Sequence, residues 1–272
     1  LLKKAQYILN NNFQKGGYTI PCENLYPFQW KWDSGFIAIG YAHFDMLKAE
    51  KEIATLLKAQ WSNGFIPHII FHKESDTYFP GPNFYQSKLN PAASKSIRTS
   101  GITQPPVIGF VLEKMYEISL NKSNTLSFIK TQIDSVYNNH IYFYDNRDLY
   151  DEGLVYIYHN WESGTDNSPL WDDIWKTMDP PNYKFERRDT NHVDPSQRPT
   201  KREYDHYINI IEIAKKNNYN DSKIAMESPF LVQDPLFNSI LMRSNEALIK
   251  LYKIIGGNQD KINYLKTKNE KS

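Results

Sequence analysis

Apolar residues recur at helical spacing along several segments of the chain. From 34 to 47, the side chains of Phe36, Ile37, Tyr41 and Phe44 fall on one face, and Asp33 is the predicted N-cap. The same spacing predicts helices over five further segments: 50–61, 103–119, 126–140, 201–217 and 234–255. Each of these helices has an apolar face that must pack against another element.

Capping residues set the predicted ends of two of these helices. Thr103 is the predicted N-cap of the third helix, with two prolines in the first turn, where a helix tolerates them. Asp234 is the predicted N-cap of the last helix, with Pro235 at its first position and Gly256 as its end.

Long loops rich in Pro, Asn, Tyr and Trp separate the helices. They cover 13–33, 61–102, 145–171 and 179–200. Loops longer than about 12–15 residues are usually functional or disordered, and these contain too many aromatic residues for disorder. Short strands at 153–159 and 230–233 are the main β signal. The pattern predicts an all-α fold, a helical toroid or bundle with the loops at one end.

The composition limits the classes of binding partner that the chain can have. The 272 residues carry 32 basic and 31 acidic side chains and no block of like charges, so nucleic acid is not predicted as a partner. No apolar run approaches the roughly 20 residues of a membrane span, so no membrane association is predicted. The single cysteine, Cys22, cannot form an intrachain disulfide, and we expect a cytoplasmic protein. The aromatic content is 14%, with 19 tyrosines and 6 tryptophans, which favours a small carbohydrate as partner because aromatic rings stack on sugar faces.

The loop before the first of these helices combines rings with a carboxylate. Trp30 and Trp32 flank Asp33 closely enough to hold a pyranose by its face and its hydroxyls together. The alternative, about equally favoured by spacing, is that Asp33 caps the helix and the tryptophans are core.

Two further loops carry polar groups suited to sugar hydroxyls. His68 and His72 would converge on a metal only in a helix, and Pro67 with the β-branched residues that follow favours an extended segment. We therefore predict that His68 donates to a hydroxyl, with no metal and no cofactor. Gln104 precedes two prolines and either binds two sugar oxygens or satisfies a helix end.

Acidic side chains and tryptophans are concentrated in the stretch 159–173, HNWESGTDNSPLWDD. Asp166 follows Gly164, and Trp161 and Trp171 can crowd it and raise its pKa, as a general acid requires. The alternative is that Asp166 or its neighbour Asn167 caps a helix over 168–175. Glu162 and the adjacent serine are expected to brace the loop.

A fifth cluster lies at the start of the helix over 201–217. Arg198 could bind a carboxylate or phosphate in a bidentate manner, and Tyr204 is close enough to share that ligand. The alternative is an ordinary solvated arginine.

Six ordered motifs, WKWDSGF, QWSNGFIPH, TQPP, WESGTDNSP, RPTKREYDHY and DPLFNSIL, resemble glycoside hydrolase family 63. The likeness is to its bacterial mannosylglycerate and glucosylglycerate hydrolase-like branch. It implies an (α/α)6 barrel and an inverting hydrolase of α-glucosides or α-mannosides, with Asp166 as general acid. The substrate-binding residues that we predict are Trp30, Trp32, Asp33, His68, Gln104, Trp161, Gly164, Arg198 and Tyr204. The resemblance implies that Trp32, Asp33, His68 and Gln104 hold the sugar and that Arg198 and Tyr204 hold a glycerate carboxylate.

The family's general base is a glutamate well downstream of the helix that matches DPLFNSIL. Neither Glu227 nor Glu246 matches it, and the chain has fewer predicted helices than a closed barrel. We therefore expect 1–272 to be a single catalytic domain truncated before the base. Two alternatives are a non-catalytic carbohydrate-binding protein and an interaction module whose open barrel edge forms a homo-oligomer.

Overall fold

The computed structural model describes residues 1–191 and 193–272 and consists mainly of α-helices. The α-helices in these ranges are α1 Leu2–Asn12, α2 Lys31–Ala42, α3 Met46–Leu57, α4 Pro82–Tyr85, α5 Ile108–Ile118, α6 Lys122–Arg147, α7 Asp172–Lys176, α8 Lys201–Lys216, α9 Asp221–Glu227, α10 Pro235–Ile255 and α11 Gln259–Lys271. The strands are β1 Phe13–Gln14, β2 Tyr18–Thr19, β3 Gln29–Trp30 and β4 Ile69–Ile70. No helix within the described ranges has the length and apolarity of a bilayer span.

The longer helices pack side by side around an aliphatic core. α2 contacts α3 and α5, while α10 contacts α5, α6 and α11. Ile53, Leu56, Val111, Leu248 and Leu251 are fully buried where these helices meet. Each such side chain contributes about 1.5–3 kcal/mol relative to an exposed one. The apolar faces predicted from the sequence therefore face each other, as their spacing requires.

A mainly aromatic cluster lies beneath the loops. Antiparallel pairing of β3 with β4 places Phe28, Trp30 and Phe71 together, and Tyr85 joins them. Phe28 and Phe71 meet edge to face with 4.9 Å between ring centroids, a favoured arrangement. Rings therefore fix the loops in place, which explains their high aromatic content.

Helix α2 begins earlier than predicted, and its predicted N-cap is wrong. The cap position is Trp30, which makes no side-chain cap hydrogen bond, and Asp33 lies inside the first turn. The cause is tertiary: β3 pairs with β4, and the Lys31 N–H donates to the His68 carbonyl oxygen at 2.9 Å. The strand therefore leads directly into the helix, and the Asp33 carboxylate is not used as a cap.

The next helix is also displaced from its predicted range of 50–61. α3 begins at Met46 because the Asp45 carboxylate accepts a hydrogen bond from the Lys48 N–H at 3.1 Å. The prediction included Asp45 in the helix over 34–47, although Asp is a good N-cap.

Helix α5 begins at Ile108, so the predicted start at Thr103 is wrong. The Thr103 N–H donates to Glu162 Oε1 at 3.0 Å, and its hydroxyl donates to the Ile66 carbonyl at 2.7 Å. These contacts hold the segment outside the helix, and Pro105 and Pro106 precede its first turn.

The last two long predicted helices are confirmed. α10 runs from Pro235 to Ile255, the Asp234 carboxylate accepts from the Phe237 N–H at 2.8 Å, and Gly256 ends the helix with φ +65°. α8 begins after Thr200, which forms a reciprocal capping box with Glu203.

Other elements differ from the prediction in extent. α6 extends beyond 126–140 at both ends, and α1 and α11 were not predicted. α11 buries few residues, Ile262, Leu265 and Lys268, which explains its weak apolar pattern. The predicted strands at 153–159 and 230–233 meet in a single bridge between Ile157 and Val232.

Candidate active site

Two adjoining cavities open among the loops. The first, which we call the Arg198 cavity, is lined by Leu25, Tyr26, Trp30, His68, Thr77, Tyr78, Phe79, Gln104, Trp161, Asp166, Asn167, Asp189, Arg198, Pro199 and Tyr204. The second, the Asp33 cavity, is lined by Pro21, Tyr26, Trp30, Trp32, Asp33, Gln104, Gly164 and Asp166. All ten residues predicted for the site line one cavity or both. Asp166 belongs to both cavities and therefore lies where they meet.

The Asp166 side chain is exposed to the cavities but closely surrounded by protein. This crowding raises the pKa of Asp166 to about 7, Arg198 opposes the rise, and Asp33 adds to it. The cap of the following 3-10 turn, Pro169–Trp171, is Ser168, whose hydroxyl oxygen accepts from the Leu170 N–H. The alternative in which Asp166 or Asn167 caps that turn is therefore wrong. Near neutral pH, Asp166 can hold a proton and release it.

Buried charges support the loop that carries Asp166. Glu162 is fully buried, and its Oε2 accepts from Arg147 Nη1 at 2.7 Å and from the Tyr158 N–H at 2.8 Å. The Arg147 Nε donates in turn to Asp221 Oδ1 at 2.8 Å. The Ser163 hydroxyl donates to the Asn160 carbonyl at 2.6 Å. Both residues expected to brace the loop make such contacts.

Gly164 supplies a close approach between two loops. Its φ is +78°, and a Cβ built there would lie 2.6 Å from the Trp32 indole. A side chain would therefore be strained and would push Trp32 out of position. The Asp33 cavity depends on this glycine for its shape.

Gln104 connects the segment that precedes α5 to the first turn of α2, which carries Asp33. Its side-chain Oε1 accepts from the Trp32 N–H at 3.2 Å, and its carbonyl oxygen accepts from Lys31 Nζ at 2.8 Å. Gln104 thus satisfies a helix end, as one alternative proposed, but the helix is α2 and not α5. The crowded Asp33 carboxyl beside it has its pKa raised to about 6.

The two histidines do not converge. β4 is extended, as predicted, so the His68 Nδ1 pairs with Ser100 Oγ at 2.6 Å and the His72 Nε2 pairs with Gln29 Oε1 at 2.8 Å. Among residues 1–191 and 193–272, no group of three or more His, Cys, Asp or Glu is arranged to hold a metal ion.

Arg198 is held in the cavity wall by neighbouring charges. Its Nε donates to Asp189 Oδ2 at 2.8 Å and its Nη1 to the Tyr26 hydroxyl at 3.3 Å. Arg187 pairs with the same carboxylate and lies 4.2 Å from the centroid of the Tyr204 ring. The alternative of an ordinary solvated arginine is wrong, since Asp189 and Tyr26 hold the Arg198 guanidinium in the wall of the Arg198 cavity.

Comparison with known families identifies the chain. Residues 26–270 match the model described as the mannosylglycerate hydrolase MGH1-like glycoside hydrolase domain. The chain belongs to this family. The predicted resemblance to glycoside hydrolase family 63 is confirmed.

Relatives within the MGH1-like family are similar over most of this chain. The mannosylglycerate hydrolase of Rubrobacter radiotolerans is 39% identical over 261 residues, which cover 94% of this chain and 58% of that protein. The mannosylglycerate hydrolase of Thermus thermophilus is 40% identical over 252 residues, 91% of this chain and 59% of that protein. The glucosylglycerate hydrolase of Mycolicibacterium hassiacum is 35% identical over 259 residues, 92% of this chain and 58% of that protein. The chain thus spans less than two thirds of their length.

A solved MGH1-like structure confirms the fold. The GH63 mannosylglycerate hydrolase from a second strain of Thermus thermophilus, in complex with Tris, superimposes with a TM-score of 0.91 at 37% identity. The match covers 99% of this chain and 64% of that one. The predicted all-α fold of (α/α)6 type is therefore confirmed.

Several residues that line the two cavities were not predicted from the sequence. Tyr26 lines both cavities, and Tyr78 and Asp189 line the Arg198 cavity. Tyr26 lies a few residues before Trp30 in the same aromatic loop, so that cluster was a usable signal. Tyr78 and Asp189 lie within long loops without a helical pattern, and their position depends on tertiary packing.

Proposed function

We propose that the chain belongs to an inverting α-glycosidase that hydrolyses a small α-glucoside or α-mannoside with a carboxylate on its aglycone. Glucosylglycerate and mannosylglycerate are the substrates of choice. The observation that carries the proposal is the position of Asp166 at the junction of two cavities, with its pKa raised to about 7. An acid between two subsites can protonate the oxygen that joins their occupants.

The proposed reaction breaks the bond between the anomeric carbon and the glycosidic oxygen. Asp166 gives its proton to that oxygen, while a water attacks the anomeric carbon from the opposite face and loses a proton to a base. Among the described residues, no glutamate lines either cavity. We infer from the resemblance that the base is a glutamate downstream of the segment that forms α10.

The Asp33 cavity is the proposed sugar site. Trp32 offers an aromatic face, Asp33 accepts hydroxyl protons, and the Gln104 amide is fixed by the Trp32 N–H. Gly164 keeps the indole in place.

The Arg198 cavity is the proposed aglycone site. The Arg198 guanidinium and the neighbouring Tyr204 hydroxyl can donate hydrogen bonds to an anionic group such as a carboxylate, and Arg187 offsets the charge of Asp189 from behind the cavity wall. The names of the relatives agree with this chemistry, since mannosylglycerate and glucosylglycerate both carry a glycerate carboxylate.

The decisive experiment is Asp166→Asn in a protein that includes the proposed downstream glutamate, with hexose release from both glycosides as the readout. Loss of the acid is expected to lower kcat about 10²–10⁴-fold, with glycoside binding retained. Asp173→Asn is the control, because Asp173 is exposed on α7 and pairs with Lys176. Undiminished turnover by Asp166→Asn would contradict the assignment of Asp166 as general acid. Inversion requires that the β-anomer of the hexose appear first by NMR.

A carbohydrate-binding protein without turnover is the second candidate. The observation that favours it is that the carboxylates lining the cavities, Asp33, Asp166 and Asp189, include no glutamate base within the described ranges. It predicts saturable glycoside binding, weakened by Asp33→Ala, and no released hexose.

A further inference from the structure

His68 presents one ring nitrogen to the Arg198 cavity and keeps the other inside the protein. The residue is only 2% exposed, and its Nδ1 lies 2.6 Å from Ser100 Oγ. The Trp161 ring lies beside it, with 6.4 Å between centroids and 28° between the ring planes. Within the described part of the chain, Nε2 makes no hydrogen bond, so it remains available to a ligand.

The protonation of His68 is set by this environment. Burial, and secondarily His159, hold the pKa of His68 well below its ordinary value, so the ring is neutral and carries one proton. A neutral imidazole donates from one nitrogen and accepts at the other. The partner of Nδ1 therefore determines what Nε2 offers to the cavity.

Ser100 has one hydroxyl proton and two acceptors within reach. The Ile69 N–H donates to Ser100 Oγ at 3.1 Å, which occupies a lone pair. The hydroxyl can then donate to the His68 Nδ1 at 2.6 Å or to the Ile102 carbonyl at 3.3 Å. The Ile102 carbonyl already accepts the backbone N–H of His68 at 2.8 Å. The carbonyl can accept a second bond, but the contact to Nδ1 is much the shorter of the two, which favours a hydroxyl proton directed at Nδ1.

We propose that Ser100 is a positioning residue that fixes His68 as the Nε2–H tautomer, so that His68 donates a hydrogen bond to an acceptor oxygen of the ligand in the Arg198 cavity. The inference deepens the proposed function and rests on it for the identity of the ligand. It makes His68 selective: the site accepts a ligand oxygen with a free lone pair at this point and rejects a donor such as an ammonium group.

His159 provides an internal reference for this tautomer. Its Nδ1 accepts the Trp161 N–H at 3.0 Å, and its Nε2 donates to the Tyr207 carbonyl at 3.1 Å. Backbone groups thus fix His159 as the Nε2–H tautomer. For His68 the corresponding partner is the Ser100 side chain, which can be replaced by mutation.

The tautomer of His68 can be measured in the ligand-free protein by ¹⁵N NMR after histidine labelling. Protonated and unprotonated ring nitrogens differ widely in ¹⁵N shift, and the His68 signals are assigned with a His68→Gln variant. The expected result is an Nε2–H form for both His68 and His159. An Nδ1–H form of His68 in the unmodified protein would overturn the proposal without any Ser100 variant.

Variants at Ser100 then separate positioning from packing. Ser100→Ala is expected to populate the Nδ1–H tautomer of His68, to leave His159 unchanged, and to weaken glucosylglycerate or mannosylglycerate binding about tenfold in calorimetry. Ser100→Thr retains the hydroxyl and is expected to restore both the tautomer and the affinity. A Ser100→Ala protein with unchanged His68 signals and unchanged affinity would contradict the assignment. If the unmodified protein binds neither glycoside, the proposed function fails, while the tautomer measurement still decides the role of Ser100.

Discussion

At the scale of single residues, two carboxyls in adjoining cavities have raised pKa values. Asp166 reaches about 7 and Asp33 about 6, in both cases mainly because protein crowds the carboxyl. The unfolded chain ionises these groups near their ordinary values, so the folded protein retains protons that the unfolded chain has lost. The stability that this proton uptake provides is present at low pH and is lost as the pH rises through about 7.

Asp166→Asn is therefore expected to raise the free energy of unfolding at pH 8, by roughly 1 kcal/mol once solvent screening in the open cavity is taken into account. The gain should fall to a small part of that value at pH 4, where the wild-type carboxyl is protonated in the folded protein and partly protonated in the unfolded chain. Urea unfolding at the two pH values provides the measurement. Asp173→Asn is the matched control, since its pairing with Lys176 lowers the pKa of Asp173 and no gain is expected. An equal gain at pH 4 and pH 8 would contradict the argument.

Chemical type, order in the chain and the family resemblance together selected ten residues that all line the cavities, but not the contacts between them. Asp166 and Arg198 stand out because each lies in a cluster whose residue types suit one reaction. The role of Ser100 depends on distances of 2.6 and 3.3 Å that no sequence pattern contains. Asp189 likewise becomes visible only when the loop folds back onto Arg198.

At the scale of elements, local capping and tertiary contacts explain which helix ends could be predicted. α10 has its cap, proline and terminal glycine in the sequence itself, so its bounds were predictable. Distant groups change the starts of α2 and α5: the His68 carbonyl accepts from the Lys31 N–H where α2 begins, and Glu162 holds Thr103 outside α5. Such partners lie far away along the chain, and no local pattern indicates them.

The contact between α6 and the Asp166 loop gives a stability prediction. Glu162→Gln leaves Arg147 with one fewer compensating charge in a fully buried setting, which is expected to cost about 3–5 kcal/mol of unfolding free energy. Glu117→Gln, which removes a half-exposed pair with Lys114 on α5, is expected to cost under about 0.5 kcal/mol. Chemical denaturation measures both, and equal losses would show that burial of the Arg147 pair is not what stabilises the loop.

At the scale of the whole molecule, the two cavities draw on elements from most of the chain. Residues between Pro21 and Tyr204 line them, and the supporting contacts extend to Asp221 on α9. The all-α fold followed from helical spacing, because that signal is repeated in every long helix. The pattern also predicted that the loops gather at one end, but the role of each loop residue at the site was inferred from the resemblance, since periodicity does not show how loops meet.

A ligand that fills both cavities is expected to stabilise the entire chain if 1–272 is a single domain. At a concentration of 100 times Kd, glucosylglycerate or mannosylglycerate should add about 2.7 kcal/mol, a rise in Tm of roughly 5–10 °C. Far-UV circular dichroism and tryptophan fluorescence should shift together, because the helical core and the ring-lined loops would unfold as one unit. Asp33→Ala should reduce the shift through weaker binding, and methyl α-glucoside, which lacks the carboxylate, should give a smaller one at the same concentration. If the fluorescence transition moves while part of the helical signal melts at its original temperature, the helices and the loops unfold separately and the single-domain prediction is wrong.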